Sequence, residues 1–169
     1  MPSNSVNMAA PTPSASPLFL REPEIRRGVE LLYFGYSRMT RSIDEGLAAQ
    51  GLGRAHHRAL YFIARQPDLT VSQLLEHLAI TKQSLGRVLN ELSDRGLVEA
   101  RPGERDRRQR LLRLTSAGAA LETGLFEALR EKLAAAYARA GQSAVGGFWA
   151  VLEGLIPDDE RGRVEALRT

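Results

Sequence analysis

Two helix-starting signals stand eleven residues apart in the middle of this chain, at Thr70 and Thr81, and that spacing constrains its fold more than any other feature. Thr70-Val71-Ser72-Gln73 has the capping-box pattern, in which the threonine hydroxyl and the glutamine amide satisfy backbone N–H groups that a helix start leaves bare. The helix it opens runs through Leu74, Leu75 and Leu78, and only Ala79-Ile80 intervene before Thr81, a second N-cap. Beyond Thr81, Leu85, Val88, Leu89 and Leu92 form one inward stripe at helical spacing, and Gly96 supplies a left-handed stop. Two short helices joined by so tight a turn form a helix-turn-helix unit. After the stop the period changes. Residues 97–101 and 109–114 are strand-length runs around Pro102-Gly103-Glu104-Arg105-Asp106-Arg107-Arg108, which predicts a hairpin with a long, arginine-rich tip.

The flanking chain reads as helices. Ile25, Val29, Leu32, Tyr36, Met39, Ile43 and Leu47 put one apolar stripe along a helix of roughly 25 residues that ends near Gly51. Residues 55–65 fit a second helix, closed by Gln66-Pro67-Asp68. Thr115 caps a long helix with Leu121, Leu125, Leu129 and Leu133 four apart, and Gly141 breaks it. A last helix carries Val145, Phe148, Trp149, Leu152 and Leu155, and the residues after Pro157 are expected to form no more than a short helical turn. Residues 1–22, with Ala10-Pro11-Thr12-Pro13-Ser14-Ala15-Ser16-Pro17, have the composition of a disordered tail. The expected organisation is a tail over 1–22, a mainly α domain with a small β-hairpin wing over 23–156, and a short segment over 157–169. Within the domain, a reading module at about 52–115 lies between helices at about 24–50 and 116–156.

Composition excludes several function classes. No stretch approaches the roughly 20 apolar residues of a membrane span, and the opening Met1-Pro2-Ser3-Asn4-Ser5 lacks a secretory pattern, so a cytoplasmic location is expected. With no cysteine there is no disulfide, no thiolate metal site and no thiol redox sensor. His56 and His57 are adjacent and face different sides of a helix, and His77 is the only other histidine, so no metal site is expected. No glycine-rich cofactor loop follows a strand and no nucleophile–base arrangement is evident, so neither a cofactor nor an enzyme is expected.

Charge points elsewhere. The whole chain carries +3, but the window 81–115 holds nine basic and five acidic residues. A basic segment on a near-neutral body is the footprint of a phosphate-binding face, although charge runs are more often plain solvated surface. The inward stripe of the second short helix leaves Lys82, Gln83, Ser84, Arg87 and Asn90 outward, mostly on its N-terminal half. That half is the part that enters a major groove of double-stranded DNA, where Arg pairs with guanine and Gln with adenine. A tip with Arg105, Arg107 and Arg108 packs poorly but suits the negative potential of a minor groove. Asp106 among them cannot bind phosphate and is expected to hold a neighbouring guanidinium in one orientation.

In order and spacing, Leu69-Thr70-Val71-Ser72-Gln73-Leu74, Ile80-Thr81-Lys82-Gln83-Ser84-Leu85-Gly86-Arg87-Val88, Asp94-Arg95-Gly96-Leu97-Val98, Asp106-Arg107-Arg108 and Leu114-Thr115-Ser116-Ala117-Gly118 resemble the MarR family of bacterial transcription regulators over about 25–156. Residues 81–90 and 52–60 look most similar to its PetP-like branch. The resemblance implies a dimeric winged helix-turn-helix protein, a homodimer whose first and last helices interlock and present two winged modules to a pseudo-palindromic operator. It places Arg108 in the minor groove with Asp106 as partner, gives base contacts to Gln83, Ser84 and Arg87, and makes Lys82 a phosphate contact. Phe148, Trp149 and Leu152 are then expected to be buried between subunits or against the first helix.

Many members of that family release DNA when a small aromatic or phenolic effector binds beside the dimerisation helices. Tyr33, Tyr36, His56, His57 and Tyr61 are the candidates to line such a pocket, although Tyr36 lies on the first helix's apolar stripe and fits a core position better. Two other readings compete. One is an architectural or replication-associated DNA-binding protein with no effector. The other is a fragment of an enzyme, such as a methyltransferase that begins with a winged-helix domain, for which no catalytic domain is left room.

Overall fold

The computed structural model describes residues 17–104 and 106–167. It divides the chain into two compact units, Met1–Ser37 and Arg38–Thr169. A 3-10 turn, Leu18–Leu20, precedes helix α1, Glu22–Arg41. Glu22 and Glu24 sit in its first turn and Arg38 and Arg41 in its last, each matched to the helix dipole. Of the tail expected over 1–22, residues 1–16 lie outside the described residues, and 18–22 are a helical turn and a helix start.

The helix expected to run unbroken toward Gly51 is two helices. The Ser42 hydroxyl donates to the carbonyl of Met39 at 2.6 Å and to that of Ala128 at 3.4 Å. The Ser42 and Ile43 amides reach back only three residues, to Met39 and Thr40, at 3.2 Å each. A serine side chain competing for backbone partners tightens and ends a helix in this way. Helix α2, Asp44–Ala49, follows with Ile43 at its N-cap, and Ile43 and Leu47 are buried in the same core as the reading module.

Helix α3, Arg54–Arg65, contributes Ala59, Leu60 and Ile63 to that core. Helix α4, Val71–Leu78, opens on the capping box: the Thr70 hydroxyl accepts from the Gln73 amide at 3.2 Å, and the Gln73 side chain accepts from Thr70 N–H at 2.9 Å. Helix α5, Lys82–Asp94, is capped by Thr81 and turns Leu85, Val88 and Leu92 inward. It ends on Gly96, at φ +65°, with Leu97 N–H on the Leu92 carbonyl and Gly96 N–H on that of Ser93, a Schellman closure.

Strands β2, Val98–Pro102, and β3, Arg110–Leu114, pair antiparallel from Val98 opposite Leu114 to Pro102 opposite Arg110. A two-residue strand β1, Leu69–Thr70, adds to the other edge of β3 and makes the order β1-β3-β2. Two residues are too few for alternation to show, so β1 left no sequence signal. Helix α6, Ser116–Ala140, is capped by Thr115 and stops at Gly141, and α7, Gln142–Gly154, follows. Beyond Pro157 the chain forms α8, Asp158–Glu165, two turns rather than one. Asp158, Asp159 and Glu160 in its first turn stabilise it against the helix dipole.

Candidate nucleic-acid interface

The N-terminal half of α5 is built from behind. Leu85, Val88 and Leu92 are buried at i, i+3 and i+7, which fixes the helix's rotation and leaves Lys82, Gln83, Ser84, Arg87 and Asn90 exposed on the opposite side. Thr81 accepts from the Ser84 amide at 3.1 Å and donates its hydroxyl proton to Ser84 Oγ at 2.8 Å. Ser84 therefore helps set the helix start, and its own hydroxyl proton remains available to a ligand. The first turn of α5 holds no acidic residue, so nothing there offsets the positive charge of Lys82 and of the helix's N-terminal end.

Other contacts hold α5 against the module and were not legible in the sequence. His56 Nδ1 accepts from Gly53 N–H at 3.1 Å, so its Nε2 carries the proton and donates to Glu91 of α5 at 2.8 Å. Arg95, just past α5, donates to the carbonyls of Gln50 and Gly51. These pairs lie 35 to 45 residues apart, beyond any local pattern.

At the wing, Arg105 lies outside the described residues. Asp106, Arg107 and Arg108 are exposed at the tip. The carboxylate of Asp106, expected to hold a neighbouring guanidinium, accepts from the backbone N–H of Arg108 at 2.9 Å among the described residues. An aspartate that bonds the chain two residues on shapes the turn itself, so Asp106 acts on where the Arg108 backbone points. Gln109 N–H to the Asp106 carbonyl and Gly103 N–H to the Gln109 carbonyl, both 3.0 Å, complete the tip. At the wing's base Arg113 of β3 grips Asp68 with two parallel hydrogen bonds, which hold the Asp68 carboxyl below its ordinary value. Glu99, opposite Arg113 in the register, pairs with Arg101.

The residues expected to line an effector pocket fall into both units. Tyr33 and Tyr36 belong to the first and are 73% and 58% exposed in the single chain. His56, His57 and Tyr61 belong to the second, where His56 is engaged as described. His57 is buried, its Nε2 has no hydrogen-bond partner among the described residues, and burial, aided by the charge of Arg58, holds the imidazole below its ordinary value. Its ring lies 6.3 Å from that of Tyr61, which meets Phe62 edge-on at 5.5 Å and Phe126 at 6.3 Å. Phe148 and Trp149 of α7 are 40% and 53% exposed, so one chain does not bury them; the Trp149 indole donates to the Tyr137 hydroxyl at 2.9 Å.

The family model described as MarR family matches residues 50–109, the span from the end of α2 to the wing tip. The HTH-type transcriptional regulator PetP of Rhodobacter capsulatus is 48% identical over 151 residues, 89% of this chain and 91% of PetP. The chain belongs to the MarR family. As a member it is a transcription regulator with a winged helix-turn-helix fold, mainly α with a small antiparallel sheet, and within the family it is similar to PetP. Solved MarR-family folds agree. A mutant MarR from E. coli, complexed with operator DNA, superposes with a TM-score of 0.63 at 24% identity and covers 84% of this chain and 100% of its own. BpsR of Bordetella bronchiseptica, whose DNA binding is regulated by 6-hydroxynicotinic acid, gives 0.61 at 19% identity over 76% of this chain and 98% of its own.

Proposed function

We propose that this regulator binds a pseudo-palindromic duplex operator as a homodimer, with Gln83, Ser84 and Arg87 of α5 at base edges in the major groove and Arg107 and Arg108 of the wing in the minor groove. One observation carries the reading: a buried leucine-valine stripe fixes α5 so that its polar N-terminal half is wholly exposed. Lys82 supplies a phosphate contact at the positive end of the helix. Arg105 belongs with the wing tip by its place in the chain.

The homodimer is supported by apolar surface that one chain leaves uncovered. Ile25, Val29 and Leu32 of α1 and Phe148, Trp149 and Val151 of α7 are all exposed, and a transcription regulator of this size gains from covering such surface with a second copy. A small aromatic or phenolic effector is supported by His57, whose buried and unpartnered Nε2 beside Tyr61 is a polar group in want of a partner. The place of work is the cytoplasm, where the operator is, and no catalytic step is assigned.

The test is selection of duplexes from a random pool, followed by titration across a salt series. Gln83→Ala should leave the salt slope alone and relax preference at one base pair per half-site, by about 1–3 kcal/mol if the contact is bidentate. Arg108→Ala should flatten the slope by about one phosphate-equivalent per subunit with base preference kept. Binding indifferent to sequence would favour an architectural protein and overturn this reading.

A further inference from the structure

The last turn of α4 ends in the carbonyls of Glu76, His77 and Leu78, directly before the Ala79-Ile80 turn that aims α5. Helix-end carbonyls have no partner within the helix and carry partial negative charge, so a guanidinium beside them is stabilising. Two arginines from different helices supply it. Arg58 of α3 donates to Leu78 at 2.7 Å and to His77 at 3.5 Å. Arg163 of α8 donates to Glu76 at 3.3 Å. The relation is returned at the other end, because Arg65, the last residue of α3, donates to the carbonyl of Leu167 just beyond α8. Arg163 is steadied by Glu160 at 3.1 Å within its own helix, and its side chain is only 33% exposed. The turn itself needs support, since Ala79 holds a left-handed conformation at φ +49°, unfavourable for a residue with a Cβ.

We propose that α8 is a clasp on the turn of the helix-turn-helix, with Arg163 and Arg65 as positioning residues for recognition of DNA by α5. Among the described residues the hydrogen bonds and ion pair of these arginines go to Leu167, Glu76 and Glu160, none of them on the reading face. Arg163 acts through the α4 carbonyls, and Arg65 acts by fastening the end of α8. Because α8 continues the chain of α6 and α7, the clasp ties those helices to the angle at which α5 is presented. The role rests on the proposal that α5 reads DNA.

The experiment compares Arg163→Met, Arg163→Lys and Arg65→Met with Arg161→Met, a control whose ion pair is with Asp158 inside α8. The first readout is amide exchange in the free full-length protein at Ala79, Ser84 and Leu85, whose N–H groups bond Leu75, Thr81 Oγ1 and Thr81 respectively. The second is affinity for a duplex selected by the parent, across a salt series. Arg163→Met and Arg65→Met should speed exchange at these amides roughly threefold to tenfold and weaken duplex binding by a similar factor, with the salt slope unchanged. Arg163→Lys should restore most of both, and Arg161→Met should change neither.

Unchanged exchange in Arg163→Met would overturn the clasp. Faster exchange with unaltered duplex affinity would overturn its positioning role, and so would a salt slope lowered by about one, which marks a direct phosphate contact. A parent that selects no duplex overturns the DNA reading and this role with it. That failure is told apart from a failed clasp because exchange at Ala79 then still responds to Arg163→Met.

Discussion

Replacing Gly118 by alanine should destabilise the protein by at least about 1 kcal/mol, although helix propensity alone argues for a gain of about 1 kcal/mol. Gly118 is the third residue of α6 and is buried against the end of α5 and the start of β2. A Cβ there would lie 1.9 Å from the Leu97 carbonyl oxygen, 2.9 Å from its carbon and 3.3 Å from its Cα. All three are backbone atoms, so no side chain can swing aside. The junction has to open by more than an ångström, and opening it breaks Thr115 N–H on Leu97 at 3.1 Å and the Thr115 hydroxyl on Gly96 at 2.6 Å. At about 1 kcal/mol net for each bond the loss is about 2 kcal/mol, which the propensity gain offsets only in part. Urea unfolding followed by circular dichroism at one fixed protomer concentration measures the difference. Gly86→Ala is the matched control, because the added Cβ meets nothing within 4 Å in the middle of α5 and should stabilise by about 0.5–1 kcal/mol. A Gly118→Ala protein that unfolds at the parent's midpoint, or above it, would show that the α6–β2 junction yields freely and that the reasoning is wrong.

The wing makes a second prediction. Asp106→Ala, which removes the acceptor for Arg108 N–H, should weaken binding to a selected duplex roughly threefold to tenfold even though it removes a negative charge, while Asp106→Asn should bind no worse than the parent. Tighter binding by Asp106→Ala would mean that the carboxylate was only a repulsive charge. The buried imidazole of His57 makes a third. Its folded-state pKa is depressed, first by burial and then by Arg58, so the unfolded chain takes up the proton sooner. Stability is therefore full above the unfolded value, about 6.5, and falls as pH drops from there toward the folded value. His57→Phe should flatten that fall in chemical unfolding at a series of pH values, leaving the share due to His77, which is also depressed by burial. An unaltered slope would remove His57 from the account.

The elements that aim the reading head were written locally in the chain. Thr70, Thr81 and Thr115 each accept from an amide three residues on, and Gly96 closes α5 through its own neighbours, so no distant residue is needed to place these ends. The outward set on α5 was legible for the same reason, because a buried stripe at helical period leaves only one other side. Interactions that join distant parts of the chain decided the rest. The break after α1 depends on Ser42, whose hydroxyl reaches Ala128 as well as Met39, and β1 exists because β3 offers an edge to Leu69. Asp68 meets Arg113, His56 meets Glu91, Arg163 meets Glu76 and Gly118 meets Leu97, each pair separated by twenty residues or more. Periodicity shows which residues turn inward, but it does not state what they meet. Those partners are chosen only when the core around Leu60, Leu74 and Leu92 closes and brings the polar groups at its edges within hydrogen-bonding reach.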